Sequence, residues 1–123
     1  MANKILVIED NDRNRRLVKI LLSAKGYEVI EAKTGEEAIN YLQNEKPDLI
    51  LLDIQLPNMD GLTLTKNIKS QPELKDIPII AVTAYAMKGD REKVLEAGCD
   101  AYVSKPIDTR TLPELVESFI KKA

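Results

Sequence analysis

The segment Asp48-Leu-Ile-Leu-Leu-Asp53-Ile-Gln-Leu-Pro57-Asn-Met-Asp60-Gly61 decides how this chain folds. Its apolar run shows no polar alternation, which reads as a strand buried on both faces of a parallel sheet, and the run stops at a carboxylate, Asp53. Pro57, Asn58, Asp60 and Gly61 then supply turn chemistry. Asp53 is thus expected at the carboxyl end of a central strand, the rim at which open α/β sheets bind ligands.

Lys4-Ile-Leu-Val-Ile-Glu9-Asp10 is a second buried strand that also ends in acids. Asn11 and Asp12 are good N-cap residues for a first helix, in which Leu17, Val18, Ile20, Leu21 and Ala24 recur at helical spacing until Gly26. Arg13, Arg15, Arg16 and Lys19 are assigned to its exposed side. Glu28-Val-Ile-Glu-Ala32 partly alternates polar with apolar, as an edge strand does. Thr34 and Glu37 form a capping box for a second helix with Ala38, Ile39 and Leu42 inward. Gly61 opens a third helix carrying Leu64 and Ile68, closed by Pro72. Ile77-Pro-Ile-Ile-Ala-Val-Thr83-Ala84 is another buried strand. Residues 87–97 form a weak helix with Gly89 inside, expected to be the least rigid element. Ala101-Tyr-Val103 is a short edge strand running into Ser104, Lys105 and Pro106. Thr111 to Glu114 reads as a second capping box for a last helix with Leu112, Leu115, Val116, Phe119 and Ile120 on its apolar stripe. Five strands alternating with five helices call for a doubly wound parallel sheet, and the placing of edges suits the order 2-1-3-4-5.

Composition narrows the function. The 123 residues suit one α/β domain, and a net charge of −2 without a basic stripe argues against direct nucleic-acid binding. The lone Cys99 excludes an internal disulfide, and no apolar run approaches a membrane span. No signal peptide is evident, so a cytoplasmic protein is expected. There is no histidine, which excludes imidazole acid-base chemistry and histidine metal ligation.

At the proposed switch point Glu9, Asp10 and Asp53 would meet. Crowded carboxylates are relieved by a bound cation or a raised pKa, and a few oxygen ligands on short loops suit Mg²⁺ better than Ca²⁺. Such an ion would let Asp53 attack phosphorus as a carboxylate nucleophile, with Lys105 holding a phosphoryl oxygen and Thr83 and the backbone N–H near Ala84 satisfying others.

Glu9-Asp10, Asp53, Thr83-Ala84 and Lys105-Pro106, each at a strand end, resemble the receiver domain of two-component response regulators over essentially the whole chain. The resemblance implies a (βα)5 flavodoxin-like fold spanning residues 1–123 with no output domain, and a stoichiometric phosphoacceptor with self-catalysed phosphorylation and dephosphorylation. It implies Asp53 as phosphoacceptor, Asp10 as a direct Mg²⁺ ligand, Glu9 acting through water, and the Gln55 backbone carbonyl as a further ligand. Thr83 and Tyr102 would be the switch residues and the Lys105–Pro106 bond cis. Expected partners are a histidine kinase or phosphotransfer protein and a downstream protein target, the regulator being a monomer or a weak phosphorylation-dependent dimer.

The runs Ala84-Tyr-Ala-Met-Lys-Gly-Asp90 and Ala97-Gly-Cys-Asp-Ala-Tyr102 resemble DivK-like single-domain regulators. Receivers of hybrid histidine kinases carry similar runs, so a module of a larger kinase or multidomain regulator stands as the alternative. Haloacid-dehalogenase-like phosphatases need an acid two residues after the nucleophile, where this chain has Gln55. A flavin binder needs hydroxyls and N–H donors after strand one, where this chain has Glu9-Asp10-Asn11-Asp12. Gln55 and Tyr85, each two residues beyond a site residue, are expected to tune the lifetime of a phosphoryl group.

Overall fold

The computed structural model describes residues 3–55, 60–83, 88–105 and 107–120, with positions 88–91 by backbone alone. Strands and helices alternate as β1 (Lys4–Ile8), α1 (Asp12–Ser23), β2 (Glu28–Ala32), α2 (Gly35–Asn44), β3 (Leu49–Asp53), α3 (Gly61–Lys69), β4 (Ile79–Thr83), α4 (Lys88–Glu96), β5 (Ala101–Ser104) and α5 (Thr111–Ile120). The strands form one parallel sheet in the order β2-β1-β3-β4-β5. Both the fold class and the strand order expected from the sequence are therefore observed.

The sheet is the middle layer of three because its inner strands have no polar face. β3 and β4 bury every residue and β1 every residue after Lys4, whereas β2 and β5 are half open, as edges are. Along β1 and β3 successive side chains go to opposite cores. Leu6, Ile8, Ile50 and Leu52 join Ala38, Leu64, Ile68 and Val94 on the side of α2, α3 and α4. Ile5, Val7, Leu49 and Leu51 join Val18, Leu22, Leu112 and Val116 on the side of α1 and α5. Each such aliphatic side chain contributes roughly 1.5–3 kcal/mol on burial, so the two cores fix the strand register.

The helix starts follow the sequence in part. Asn11 caps α1 by accepting the Asn14 N–H at 3.0 Å, and Thr34 caps α2 by accepting the Glu37 N–H at 3.1 Å. The second capping box does not form. α5 already includes Thr111, and the Asp108 carboxylate upstream accepts the N–H groups of Arg110 (2.8 Å) and Thr111 (3.1 Å). β4 begins at Ile79 rather than Ile77, because Pro78 has no N–H for the ladder; its carbonyl still accepts the Ile50 N–H at 2.9 Å.

Three assignments on α1 are corrected. Ile20 is 60% exposed and Ala24, the C-cap, is exposed too, so both lie outside the apolar stripe. Arg15, expected on the solvent face, is only 7% exposed. It stands three residues before Val18 and seven before Leu22, both buried, and therefore on the inward face.

The segment after β3 is closed by one glycine. The Gly61 N–H donates to the Ile54 carbonyl at 2.9 Å, and Gln55 bridges to Asp60. A Cβ on Gly61 would lie 2.5 Å from the Ile54 Cα and 2.8 Å from its carbonyl oxygen, both backbone atoms with no freedom to yield. Gly26 contrasts with it, since its φ of +91° is costly for other residues but nothing lies within 4 Å of an added Cβ. Urea unfolding should therefore show Gly61→Ala less stable by about 2 kcal/mol or more, from forced displacement of backbone. Gly26→Ala should lose only about 1 kcal/mol, from the left-handed backbone alone. Equal losses at the two positions would contradict the close approach at Gly61.

Candidate functional site

The register brings the acids together. Ile8 of β1 pairs with Leu52 of β3, so Glu9 follows at the level of Asp53, and Asp53 pairs with Val82 of β4, one residue before Thr83. Thr83 pairs with Ser104 of β5, which puts Lys105 just beyond the same rim. Parallel strands end on one side, so Glu9, Asp10, Asp53, Thr83 and Lys105 share one edge of the sheet.

Asp53 is 3% exposed and Glu9 4% exposed, and Lys105 lies between them. Its Nζ donates to Asp53 Oδ2 at 3.0 Å and pairs with Glu9 Oε1 at 2.9 Å. The other Asp53 oxygen, Oδ1, accepts the Gln55 N–H at 2.9 Å, and Glu9 Oε2 accepts the Asn11 N–H at 3.2 Å. Lys105 is anchored in turn, its own N–H donating to the Thr83 carbonyl at 2.7 Å. Asp10 is exposed at the mouth of the cluster. One oxygen from each of Glu9, Asp10 and Asp53 falls within 4.8 Å of the others, a grouping able to hold a metal ion.

The charges are not balanced. Three carboxyls face one ammonium, and two of the carboxyls are buried. Burial, and then the hydrogen bond with Asp53, push the Glu9 carboxyl up to about 7, with Lys105 and the Asn11 N–H opposing. Burial also works to raise Asp53. The hydrogen bonds from Glu9, the Gln55 N–H and Lys105 outweigh it and hold Asp53 below the usual carboxylate range. Burial disfavours the Lys105 ammonium, but Glu9 and Asp53 more than compensate, so Lys105 stays charged. In the absence of a cation Asp53 is held ionised, and the crowding of the two buried carboxyls is relieved by proton uptake at Glu9 as pH falls through about 7. The donor set fits a small divalent ion, since all candidate ligands are hard oxygens and Asp10 leaves the site open to water.

Thr83 is buried at the end of β4, and Tyr102 is half-buried on β5 against the core shared with α2, α3 and α4. Gln55 is exposed and enters through its backbone. Ala84, Tyr85 and Pro106 lie outside the described residues, as do Met87 and Pro57 to Met59.

The sequence reading missed two contributors to this rim. Arg15 donates from Nη1 to the Glu9 carbonyl at 3.0 Å, and its signal was an arginine on the stripe of Val18 and Leu22. Gly61 permits the tight return of the segment following Asp53; the sequence marks it as a turn residue without revealing the 2.5 Å approach.

The response regulator receiver domain family matches residues 5–117 of this chain. The polar-differentiation response regulators DivK of Brucella anthropi and Brucella ovis are each 46% identical to it over 123 residues, the whole of both chains. Among solved structures, the signal receiver domain of a signal transduction histidine kinase from Syntrophus aciditrophicus superposes with a TM-score of 0.92 at 33% identity, covering 99% of this chain and 92% of that one. The receiver domain of a sensor histidine kinase from Pseudomonas aeruginosa, with a magnesium ion coordinated in its active site cleft, gives 0.90 at 35% identity, covering 98% and 99%. Its sheet order, its acid-tipped strand ends and these full-length similarities agree: the chain belongs to the response regulator receiver domain family, the phosphorelay response regulators of two-component systems.

Proposed function

We propose that Asp53 is the phosphoacceptor, loaded from a phosphohistidine of a kinase or phosphotransfer protein in a Mg²⁺-dependent reaction. The observation that carries this reading is the Lys105 ammonium held at 2.9 Å from Glu9 and 3.0 Å from Asp53, beside Asp10, at a buried rim. An Asp53 oxygen attacks phosphorus, an O–P bond forms as the N–P bond of the donor breaks, and the departing imidazole nitrogen keeps the electron pair. Asp10, Asp53 and the Gln55 carbonyl would hold Mg²⁺, with Glu9 acting through water, and the bound ion would supply positive charge for the phosphoryl oxygens.

The chain's own groups do the rest. Because Asp53 is held ionised, it needs no general base, which is consistent with the absence of histidine. Lys105 is placed to leave Glu9 and Asp53 for a phosphoryl oxygen, exchanging two ion pairs for one on the transferred group. Thr83, one residue beyond the level of Asp53 on β4, supplies a hydroxyl toward the same group, and the Ala84 N–H another donor. Movement of Thr83 toward the phosphoryl oxygens vacates space that Tyr102 on β5 then fills. The equilibrium shifts toward a state in which the face of α4, β5 and α5 is altered for a protein target. Self-catalysed transfer and hydrolysis make the protein a stoichiometric phosphoacceptor rather than a turnover enzyme.

The DivK relatives, alike over their full length, support a regulator of that kind. Among the described residues no helix is long and apolar enough to cross a membrane.

Incubation with a small acyl phosphate followed by intact-mass measurement tests the chemistry. Wild type should gain one phosphoryl group only with Mg²⁺ present, and Asp53→Asn none. Lys105→Met should take it up more slowly by on the order of 100-fold, the usual loss when one preorganised donor to a developing charge is removed. Adduct formation on Asp53→Asn at the wild-type rate would exclude the assignment.

The metal-free protein carries a pH signature. Glu9 titrates near 4.5 as an ordinary glutamate and near 7 in the fold, so between these values the folded state binds the extra proton. Its contribution is fully present below about 4.5 and is lost as pH rises through about 7. Urea unfolding in chelator should show stability falling across that window for wild type, while Glu9→Gln, which cannot ionise, follows a flatter profile. A wild-type profile as flat as that of Glu9→Gln would contradict the crowding of Glu9 with Asp53.

A further inference from the structure

Arg15 is the one arginine on the buried stripe of α1, and it is placed there with every nitrogen in use. Nη1 donates to the Glu9 carbonyl at 3.0 Å, Nε to Glu31 Oε1 at 3.2 Å, and Nη2 to the carboxylate of Asp12. These acceptors sit on three separate pieces of the fold, namely the loop after β1, the edge strand β2 and the first turn of α1. Only a planar guanidinium with nitrogens fanned in fixed directions spans such a set, because a lysine has a single nitrogen to share among them.

The Glu9 carbonyl belongs to the peptide that joins Glu9 to Asp10. Fixing it fixes the direction in which the two neighbouring carboxyls leave the backbone. On the other side of Glu9, its N–H continues the sheet by donating to the Ala32 carbonyl at 3.0 Å. The Glu9 side chain accepts the Asn11 N–H at 3.2 Å, and the Arg15 N–H donates to the Asn11 carbonyl at 3.0 Å. Residues 9–15 thus form a closed ring of hydrogen bonds in which the Arg15 side chain is the link that reaches the Glu9 peptide. Glu31 is itself braced by Lys19 at 3.3 Å.

We propose that Arg15 is a positioning residue for the cation site: its guanidinium locks the Glu9–Asp10 peptide against α1 and the edge strand, so that both acids are presented in binding geometry before the ion arrives. The inference rests on the reading of this rim as a Mg²⁺ site, and it goes beyond it in making the affinity depend on a residue that touches neither the ion nor the phosphoryl group. Groups that orient metal ligands from behind commonly set the affinity even though they are not ligands themselves.

Isothermal titration of the full chain with MgCl₂ tests it, with urea unfolding in chelator reporting the fold separately. Arg15→Met fills the buried slot with an apolar side chain of similar length and leaves Asp12 and Glu31 free to reach water. It should bind Mg²⁺ about tenfold more weakly than wild type while still unfolding cooperatively. Arg15→Lys, which keeps the charge and loses the three-way span, should also bind more weakly. Glu31→Gln alone should weaken binding, yet add nothing in the Arg15→Met background, because both changes act through the same strut.

Mg²⁺ affinity of Arg15→Met equal to wild type would overturn the proposal, and so would full affinity in Arg15→Lys, which would reduce the effect to charge alone. If Arg15→Met does not fold, Glu31→Gln and Asp12→Asn carry the test, since both carboxylates are partly exposed and their loss empties no core position. Unchanged affinity in both would then overturn it. Absence of Mg²⁺ binding in wild type would instead overturn the underlying reading of the rim.

Discussion

Two buried carboxyls share a single ammonium in this protein, and most of its architecture serves to keep them there. Glu9 and Asp53 would separate or draw in water if the strands carrying them were free to slide. They are not free, because β1 and β3 are apolar on both faces and any slip by one residue would exchange the contents of the two cores. The hydrophobic effect thus holds an electrostatically unfavourable cluster in place, and the residual imbalance appears as a Glu9 carboxyl pushed up to about 7 and a depressed Asp53. A site with three carboxyls to one ammonium is predisposed to accept a cation and, with it, a phosphoryl group.

The same logic explains why the surrounding loops are tightly tied. Gly61 returns the chain against Ile54 at a distance no side chain permits, closing the segment that follows Asp53. Arg15 ties the segment that follows β1, and Asn11 serves both as the cap of α1 and as the donor to Glu9. Farther along, Lys69 donates to the carbonyls of Lys75 and Ile77 and to Asp100, whose carboxylate also receives the Ile79 N–H at 2.8 Å. That knot ties the start of β4 to α3 and to the residue before β5. The rim is therefore braced by groups on the loops and helix starts that follow β1 and β3, with a separate tie at the opposite end of β4.

Much of this was legible in the sequence because it depends on pattern. Unbroken apolar runs ending in Asp53, in Glu9-Asp10 and in Thr83 gave the inner strands, and the mixed run from Glu28 to Ala32 gave an edge. Their strand-end positions then located the site, because parallel strands deliver their ends to one side. What the sequence did not show depends on three-dimensional reach. Arg15 looks like its neighbours Arg13 and Arg16 unless the stripe of Val18 and Leu22 is extended back by one turn, and even then nothing local reveals Glu31 as its partner. Thr111 and Glu114 have the spacing of a capping box, but Thr111 is already helical and Asp108 takes the Thr111 N–H that Glu114 would accept in such a box. Ile20 is apolar yet exposed, which helical spacing alone did not separate from Leu17 and Leu21.

The chemistry of this rim turns on which carboxylate carries the phosphoryl group. Reduction of the phosphorylated protein with borohydride converts an acyl phosphate to an alcohol, and peptide sequencing by mass spectrometry then locates the altered residue. Asp53 alone should be converted, since it is the buried carboxylate held ionised with Lys105 at 3.0 Å. Conversion at Glu9 or Asp10, or at a carboxylate away from this rim, would contradict the account.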